Sequence, residues 1–508
     1  MKQKFINLVI VSNLLLVLHS IAQTTPGLKK FTPPSPNAAA LGKYGDIPVG
    51  LYTGIPSINI PIYTLKGREL ELPINLSYHA GGIKVEEIAS WVGIGWSLNA
   101  GGVITRSVRG FPDDVSTGYF NTRNTIVPLA KKYIANLNPT TSYLSDAGNA
   151  DPADLQMLNQ VKDQITDAEP DIFYFNFGKY SGKFFMNESG QFVVSPLEAL
   201  KIEYQYISGI NANQIARWTL TTPDGVKYVF GNSLDGQKTA IEKNDNAAQT
   251  GITTTGWYLV EIYSPNNDLI TFDYNTISYN YNNKSAETVN LILGESGSQP
   301  PAHLPSFDKN VVTNFMTVPK LKSITSAIGK ITFDVTARRT DLPGDSSLNA
   351  VNIFSNLDLN NPLRKFVFYY DYANGGRLTL DSLAELSATN TTSGNKYKFE
   401  YNATQLPNPD PYGTTINSQD LWGFYNGVPN SVLPQSFYIN TPDYGTVTLF
   451  GADRHSDESY MMAGVLKKII TLQVGTLCLS MRRIKFTPLI LITAYLTHQQ
   501  ENMPTFNI

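Results

Sequence analysis

Histidines and paired carboxylates are where a search for chemistry begins, because they move protons and hold metals near neutral pH. This 508-residue chain has five histidines; His79, His303 and His455 lie in its body, with His19 near the start and His498 near the end. None has a partner at a metal-ligand spacing such as H-x-x-x-H. His79 stands between Tyr78 and Ala80 in an alternating run, where a packed or edge role is expected. Two adjacent acid pairs, Glu86-Glu87 and Asp113-Asp114, are the residues that glycoside hydrolysis would recruit. That reaction needs two carboxyls roughly 5–10 Å apart across a cleft, whereas neighbours on a strand point to opposite sides. Glu86 could meet Asp113 only through tertiary placement; the competing reading is solvated acids, or acids paired with Arg106 and Arg109. Gly344-Asp345-Ser346-Ser347 contains serines but no nucleophile elbow. Asn266-Asn267-Asp268 and Asp341 offer oxygens to calcium, without a D-x-D-x-D-G loop. VGIGWSLNAGG contains G-x-G but lacks the strand-to-helix setting of a phosphate site. The chain is therefore expected not to be an enzyme, and no catalytic, cofactor-binding or metal-ligating residues are assigned.

The elements that carry these residues are organised around Leu72 to Arg109, LPINLSYHAGGIKVEEIASWVGIGWSLNAGGVITRSVR. Leu72, Ile74, Leu76 and Tyr78 alternate, as a half-buried strand requires. Gly81 and Gly82 interrupt the run. Trp96 and Leu98 begin another strand, and Gly101 and Gly102 turn it into Val103-Ile104-Thr105-Arg106. Trp91 and Trp96 are bracketed by Gly93 and Gly95, which can adopt positive φ and lie close to an aromatic face. The expectation is a β-layer corner with both indoles in the core.

The same residues carry a family resemblance. GIGWSLNAGGVITR preceded by LPINLSYHAGG resembles the start of large secreted RHS/YD-repeat proteins. It is also similar to the N-terminal region shared by insect toxin-complex cocoon subunits and Salmonella virulence-plasmid toxins. The matching positions are Leu76, Tyr78, Gly81, Gly93, Gly95, Trp96, Leu98, Ile104 and Arg106, with Ala80 where the family has serine. Pro34 to Leu65 resembles the variant of Bacteroidetes-type secreted chains. The resemblance implies a long β-sheet that spirals into a hollow shell around, or displaying, a C-terminal effector.

Composition agrees with strands. Aromatics are 11% of residues, Gly and Pro number 38 and 30, and only 16% are charged; abundant Tyr, Phe and β-branched residues with turn formers favour sheet. Lys2 and Lys4, the apolar LVIVSNLLLVL and Ser20-Ile21-Ala22 read as a secretory signal over 1–22, cleaved near Ala22. Without those two lysines the chain has 37 basic and 42 acidic residues, a net charge of about −5, which argues against nucleic acid. The only cysteine is Cys478, so burial and strand pairing must hold the fold. No later apolar run reaches the roughly 20 residues of a membrane helix.

Along the chain, 23–45 is Pro/Ala/Gly-rich and extended, and 46–115 is the N-terminal β region with the Gly-Trp motif. Residues 116–168 form a helical insertion. Its helices are expected over Pro128–Asn138 and Asp151–Ile165, the second capped by Asp151 with Leu155, Leu158, Val161 and Ile165 on one face. Residues 169–470 are β-hairpins, including one around Pro223-Asp224-Gly225. Within them a degenerate unit recurs: Leu259…Ile262 with Phe272 and Tyr274, Leu321…Ile324 with Phe333 and Val335, Leu380…Leu383 with Phe399 and Tyr401, then Leu466…Ile469. The starts differ by 62, 59 and 86 residues. A hairpin cannot hide its apolar face alone, so stacking on neighbours is expected. After Ile470 the alternation stops, whereas family members continue with a string such as YPTGGYTVFEYE; 471–508 is expected to be an atypical, out-of-frame tail on a truncated chain.

The resulting expectation is an all-β fold, antiparallel hairpins stacked in a large curved sheet or sheets with a small helical insertion. By resemblance the chain is the non-catalytic shell part of a secreted or cell-surface RHS/YD-repeat protein, whose partners are the remaining repeats or a C-terminal effector. The alternative is a secreted adhesin or glycan-binding β protein that meets surface glycans through exposed aromatics. A secreted hydrolase is the third reading.

Overall fold

The structure is a computed structural model. It describes residues 55–135, 151–163, 165–207, 214–246, 252–290, 306–335, 337–387, 392–409, 415–441, 445–449, 451–471, 475–483 and 490–497. The signal segment 1–22, the extended segment 23–45, His303, His498 and residues 136–150 of the helical insertion lie outside them.

Alternation becomes strand throughout. In chain order the first strands are β1 (Ser57–Lys66), β2 (Glu71–His79), β3 (Trp96–Asn99), β4 (Gly102–Ser107), β5 (Ile172–Phe177), β6 (Tyr180–Met186), β7 (Phe192–Ser195), β8 (Lys201–Tyr206) and β9 (Ile215–Thr221). Next are β10 (Lys227–Gly231), β11 (Ile241–Asn246), β12 (Ile252–Tyr263), β13 (Leu269–Asn290), β14 (Ser306–Thr325), β15 (Gly329–Asp334), β16 (Ala337–Arg338), β17 (Ser346–Ser347) and β18 (Ala350–Ser355). The last are β19 (Arg364–Asn374), β20 (Arg377–Ser387), β21 (Thr392–Tyr401), β22 (Phe437–Thr441), β23 (Gly445–Leu449), β24 (Leu466–Thr471), β25 (Gly475–Arg483) and β26 (Ile490–Thr497). The fold is all-β and every ladder between named strands is antiparallel.

β1, β2 and β3 form a separate three-stranded sheet. Among the described residues β1 pairs only with β2, and its register shifts between Pro61 and Tyr63, as a proline on an edge requires. The main sheet branches at β12. One edge of β12 takes β10 and β11; the other takes β4 and β13. From β4 the sheet runs to β5, β6 and β7, and from β10 to β9 and β8. From β13 it runs through β14, β15, β18, β19, β20, β21 and β24 to β25 and β26. Because β11 also pairs with β14, β11 to β14 close a ring of four strands.

The recurring Leu-x-x-Ile unit has a structural reason. Its two apolar residues are three apart and face an aromatic pair two apart on the neighbouring strand. Tyr228 and Phe230 oppose Ile262 and Leu259; Phe272 and Tyr274 oppose Ile324 and Leu321. Phe368 and Tyr370 oppose Leu383 and Leu380; Phe399 and Tyr401 oppose Ile469 and Leu466. Three against two leaves one extra residue, a β-bulge, and the register shifts at each of these pairings. Phe272 with Tyr274 and Phe399 with Tyr401 therefore pack with the following Leu-x-x-Ile, one unit later than the sequence grouping implied, whereas Phe333 opposes Val351 and the pair facing Leu380 and Leu383 is Phe368 with Tyr370, outside that grouping. Tyrosine hydroxyls then tie units together, Tyr274 donating to the Leu259 carbonyl at 2.7 Å and Tyr401 to Leu380 at 2.7 Å, while Tyr370 donates to the Leu348 carbonyl just before β18 at 2.6 Å. Burial holds all three phenols above their ordinary range.

The helices differ from expectation in detail. α1 (Tyr119–Ala135) begins nine residues before Pro128 and contains it; Pro128 has no N–H for the carbonyl of Asn124, a cost that side-chain packing offsets. Phe120 of α1 lies 6.4 Å from Phe173, 6.1 Å from Phe192 and 5.7 Å from Tyr204. α2 (Pro152–Lys162) is capped by Asp151, which accepts from the Ala153 N–H at 2.9 Å. Leu155, Leu158 and Val161 are half-buried, but Ile165 is 54% exposed, so the apolar face stops at Val161. A single turn, α3 (Glu458–Met461), precedes β24. Among the described residues no helix is long and apolar enough to cross a membrane. The apolar faces of β1–β3 and of the main sheet share one core, with Trp96, Trp218 and Trp257 at its centre.

Candidate functional site

The Gly-Trp motif divides into two structural jobs. Tyr78 and Trp96 are register partners on β2 and β3, and their rings are 5.0 Å apart. Trp96 is 1% exposed. Its ring lies 4.7 Å from Phe399, and its Nε1 donates to the Tyr401 hydroxyl at 2.9 Å. Tyr78 accepts from the Leu466 N–H at 2.9 Å, and burial raises its phenol. The glycines permit this contact: Gly95 has φ +75°, and a Cβ there would sit 2.6 Å from the Tyr78 ring. Gly93 has φ +107°, with room for a Cβ denied by the Leu380 backbone at 2.9 Å. Between them, the Ile94 N–H donates to the Leu378 carbonyl at 2.8 Å. The small sheet is thus sewn to β20, β21 and β24, some 300–390 residues away in sequence. Gly81 lets the chain leave β2 beside the His79 ring.

Gly101, Gly102 and Arg106 do the second job, feeding β4 into the main sheet. Gly102 opposes Phe177, and its missing Cβ would lie 2.6 Å from that residue's Cβ; Gly101 faces Phe272. Trp91 departs from expectation. It is half-buried at the edge of the core, 6.4 Å from Phe333, with the Lys320 ammonium 5.5 Å from its ring. Its position is set by its own carbonyl, which accepts from the Leu348 N–H. Leu98, opposite Leu76, is also only half-buried.

The acids do not converge across a cleft. Glu86 accepts from the Gln419 amide at 2.9 Å, and Glu87 from the Lys84 N–H at 3.3 Å. Asp113 instead exchanges backbone hydrogen bonds with Asp171: each carboxylate accepts from the other's N–H at 3.0 Å. Asp114 takes the Ile215 N–H at 2.7 Å and the Arg106 guanidinium at 2.9 Å. Arg106 lies 3.5 Å from Asp171 through Nε, with Phe173 and Trp257 stacked at 5.3 and 5.0 Å. Arg109 pairs with Glu169 instead. Asp113 and Asp171 are 0% exposed and Asp114 is 1% exposed. Burial, and then the charge of Asp171, raise the Asp113 carboxyl, and burial pushes nearby Asp167 up to about 6. Such a cluster ties together the junction of β4, β5 and β9, with all four of its side chains buried.

Among the remaining candidates, the acids Asp268, Asp341 and Asp345 are also struts. Asp268 accepts from the Glu69 and Leu70 N–H groups at 2.8 and 3.0 Å, closing the β1–β2 turn. Asp345 and Asp341 hold Arg339 at 2.9 and 2.7 Å, and Asp345 also holds Lys320 at 2.8 Å. His455 is an exposed partner of Asp453 at 2.6 Å, and His79 an exposed strand end. Cys478 opposes Lys468 in the β24–β25 ladder. Among the described residues no three His, Cys, Asp or Glu side chains gather in a metal-binding group.

Sequence reading missed Arg377, which is 1% exposed. Its guanidinium donates to the carbonyls of Val85 at 2.5 Å, Pro407 at 2.8 Å and Glu87 at 3.3 Å. Burial lowers its pKa to about 10. Its only signal in sequence is a charge immediately before Leu378, where the leucines Leu378 and Leu380 begin to alternate.

No known family model matches the sequence, and no curated protein matches it. Among solved structures, the fold is similar to the TcdB2-TccC3-TEV crystal structure at 12% identity and TM-score 0.40, over 91% of this chain and 20% of that one. It is similar to the Photorhabdus luminescens Tc holotoxin pore at 12% identity and TM-score 0.36, over 90% and 19%. It is also similar to the N-terminal domain of the effector SpvB from Salmonella typhimurium strain LT2 at 13% identity and TM-score 0.28, over 65% and 98%. The chain therefore spans about a fifth of the toxin chains that it matches.

Proposed function

We propose that this chain is a non-catalytic scaffold, the opening part of a secreted RHS/YD-type shell that encloses or displays a C-terminal effector. The observation that carries the reading is the bulged Leu-x-x-Ile unit. Each copy buries its apolar pair against the aromatic pair of the strand beside it, and tyrosine hydroxyls bond the carbonyls of neighbouring units. A unit of this kind extends a sheet sideways and has no geometry of its own for bond breaking. The best-placed acids and cations serve as buried struts between strands. The signal over 1–22 is read as exporting the chain, and the frame is read as changing near residue 471.

Two experiments test this. Sequencing the locus should find YD-type strand-coding sequence and an effector downstream in another frame; an intact in-frame stop with neither downstream refutes the truncated-shell reading. The purified chain should turn over none of a panel of polysaccharides and esters, with or without calcium. Turnover that is abolished by replacing one of its carboxylates would refute the non-catalytic assignment.

A further inference from the structure

A cleft of about 450 Å³ opens where the small sheet meets the main sheet, within the roughly 300–1,000 Å³ of small-molecule sites. Beside it the exposed face of the small sheet carries a patch of amides and hydroxyls, Ser57 and Asn59 on β1, Asn75 and Ser77 on β2, Ser97 and Asn99 on β3; Pro61, Pro73 and His79 share that face, and the Lys66–Glu71 ion pair lies on it at the β1–β2 turn. The amides and hydroxyls are register neighbours, with Asn59 opposite Ser77, Asn75 opposite Asn99 and Ser77 opposite Ser97.

Asn59, Asn75, Asn99 and Asn176 line the cleft, with Trp91 at its wall. The Asn99 amide donates to Asn75 at 2.7 Å and to Ser77 at 3.0 Å. This orients both amides and leaves the Asn75 Nδ2 donors and the Asn99 Oδ1 acceptor without a partner among the described residues. The half-buried Trp91 adds an apolar face with an indole N–H. Among the described residues that line it there is no carboxylate and one cation, Lys320, which is held by Asp345 at 2.8 Å and is only 12% exposed in its side chain, so this lining is close to neutral.

We propose that this cleft binds a neutral saccharide. Oriented amides supply the donors and acceptors that ring hydroxyls need, and an indole face suits the apolar C–H face of a pyranose. The neutralised lysine gives no preference for an acidic sugar. The site does not depend on the scaffold role: a shell wall and a free-standing adhesin could each carry it.

The test is saturation-transfer NMR on the full chain, with galactose, N-acetylglucosamine and cellobiose as neutral probes and glucuronic acid and N-acetylneuraminic acid as acidic ones. At least one neutral probe should receive transfer at its ring protons and quench tryptophan fluorescence, with neither acidic probe binding more tightly. Trp91→Ala should weaken that binding roughly two- to tenfold, the range for loss of one ring contact, and Trp91→Phe should recover most of it. Asn176→Ala, at an exposed position with no side-chain bond to lose, should weaken it as well and carries the test if Trp91→Ala does not fold. Absence of transfer to every neutral probe, tighter binding of the acidic probes, or unchanged binding in both variants would overturn the assignment.

Discussion

Replacing Arg377 with methionine should loosen one defined part of the molecule. Methionine has similar length and no polar atom, so packing is largely kept while three carbonyls, those of Val85, Glu87 and Pro407, lose their donor. An orphaned buried acceptor costs about 1–3 kcal/mol. The long Glu87 bond belongs at the low end and the short Val85 bond at the high end. Removing the cost of a buried cation, visible in the lowered pKa, returns part of the loss, which leaves about 3–5 kcal/mol. A chain of this size does not unfold in one step, so the fitting assay is native-state hydrogen exchange. Peptides covering 83–95 and 377–384 should exchange about two to nearly four orders of magnitude faster, at 1.4 kcal/mol per tenfold. Peptides from β5 and β6, which share no bond with Arg377, should be unchanged. Arg377→Lys should fall between, since an ammonium cannot span three carbonyls as a planar fork can. Acceleration below about tenfold at both segments, or equal acceleration everywhere, would refute the role assigned to this side chain.

Other outcomes follow from the same geometry. Trp96→Phe should cost about 1–2 kcal/mol by losing the bond to Tyr401 while keeping a ring against Phe399. Tyr401→Phe should cost more, because it orphans both the Trp96 Nε1 and the Leu380 carbonyl; a double-mutant cycle in denaturant should show the two losses to be non-additive. Tyr274→Phe orphans only the Leu259 carbonyl and should cost about 1–2 kcal/mol. Asp167 has its folded pKa raised to about 6, above the unfolded value of about 3.9. Its contribution is fully present below pH 3.9 and is lost as pH rises through 6, so Asp167→Asn should stabilise the protein by about 1–3 kcal/mol at pH 7 and flatten the pH dependence between 4 and 6; thermal melts across that range check it. Gly95→Ala, forced to φ +75° and against Tyr78, should destabilise by at least about 2 kcal/mol, read as a lower melting temperature.

Local chemistry alone determined a good deal. Alternation in Ser57–Lys66 and Glu71–His79 requires strands because a side-chain period of two matches only the pleat. Asp151 before Pro152 starts a helix because a carboxylate can take the orphaned N–H groups there. The spacing Leu-x-x-Ile already contained the bulge, although its aromatic partners on the neighbouring strand could be assigned only once the register was seen. What sequence could not supply were relations between residues hundreds of positions apart. Trp91 and Trp96 stand on either side of the same Gly93-Ile94-Gly95 run, yet only Trp96 meets Tyr401 and enters the core, while Trp91 is left at a cleft wall. Asp113 and Asp171 are separated by the helical insertion, and nothing in either neighbourhood says that each accepts from the other's backbone. Arg377 looks like a solvated strand end until the Val85 and Pro407 carbonyls close over it. Each of these depends on which backbone groups are left unpaired when distant strands come together, and that is decided by the whole sheet at once.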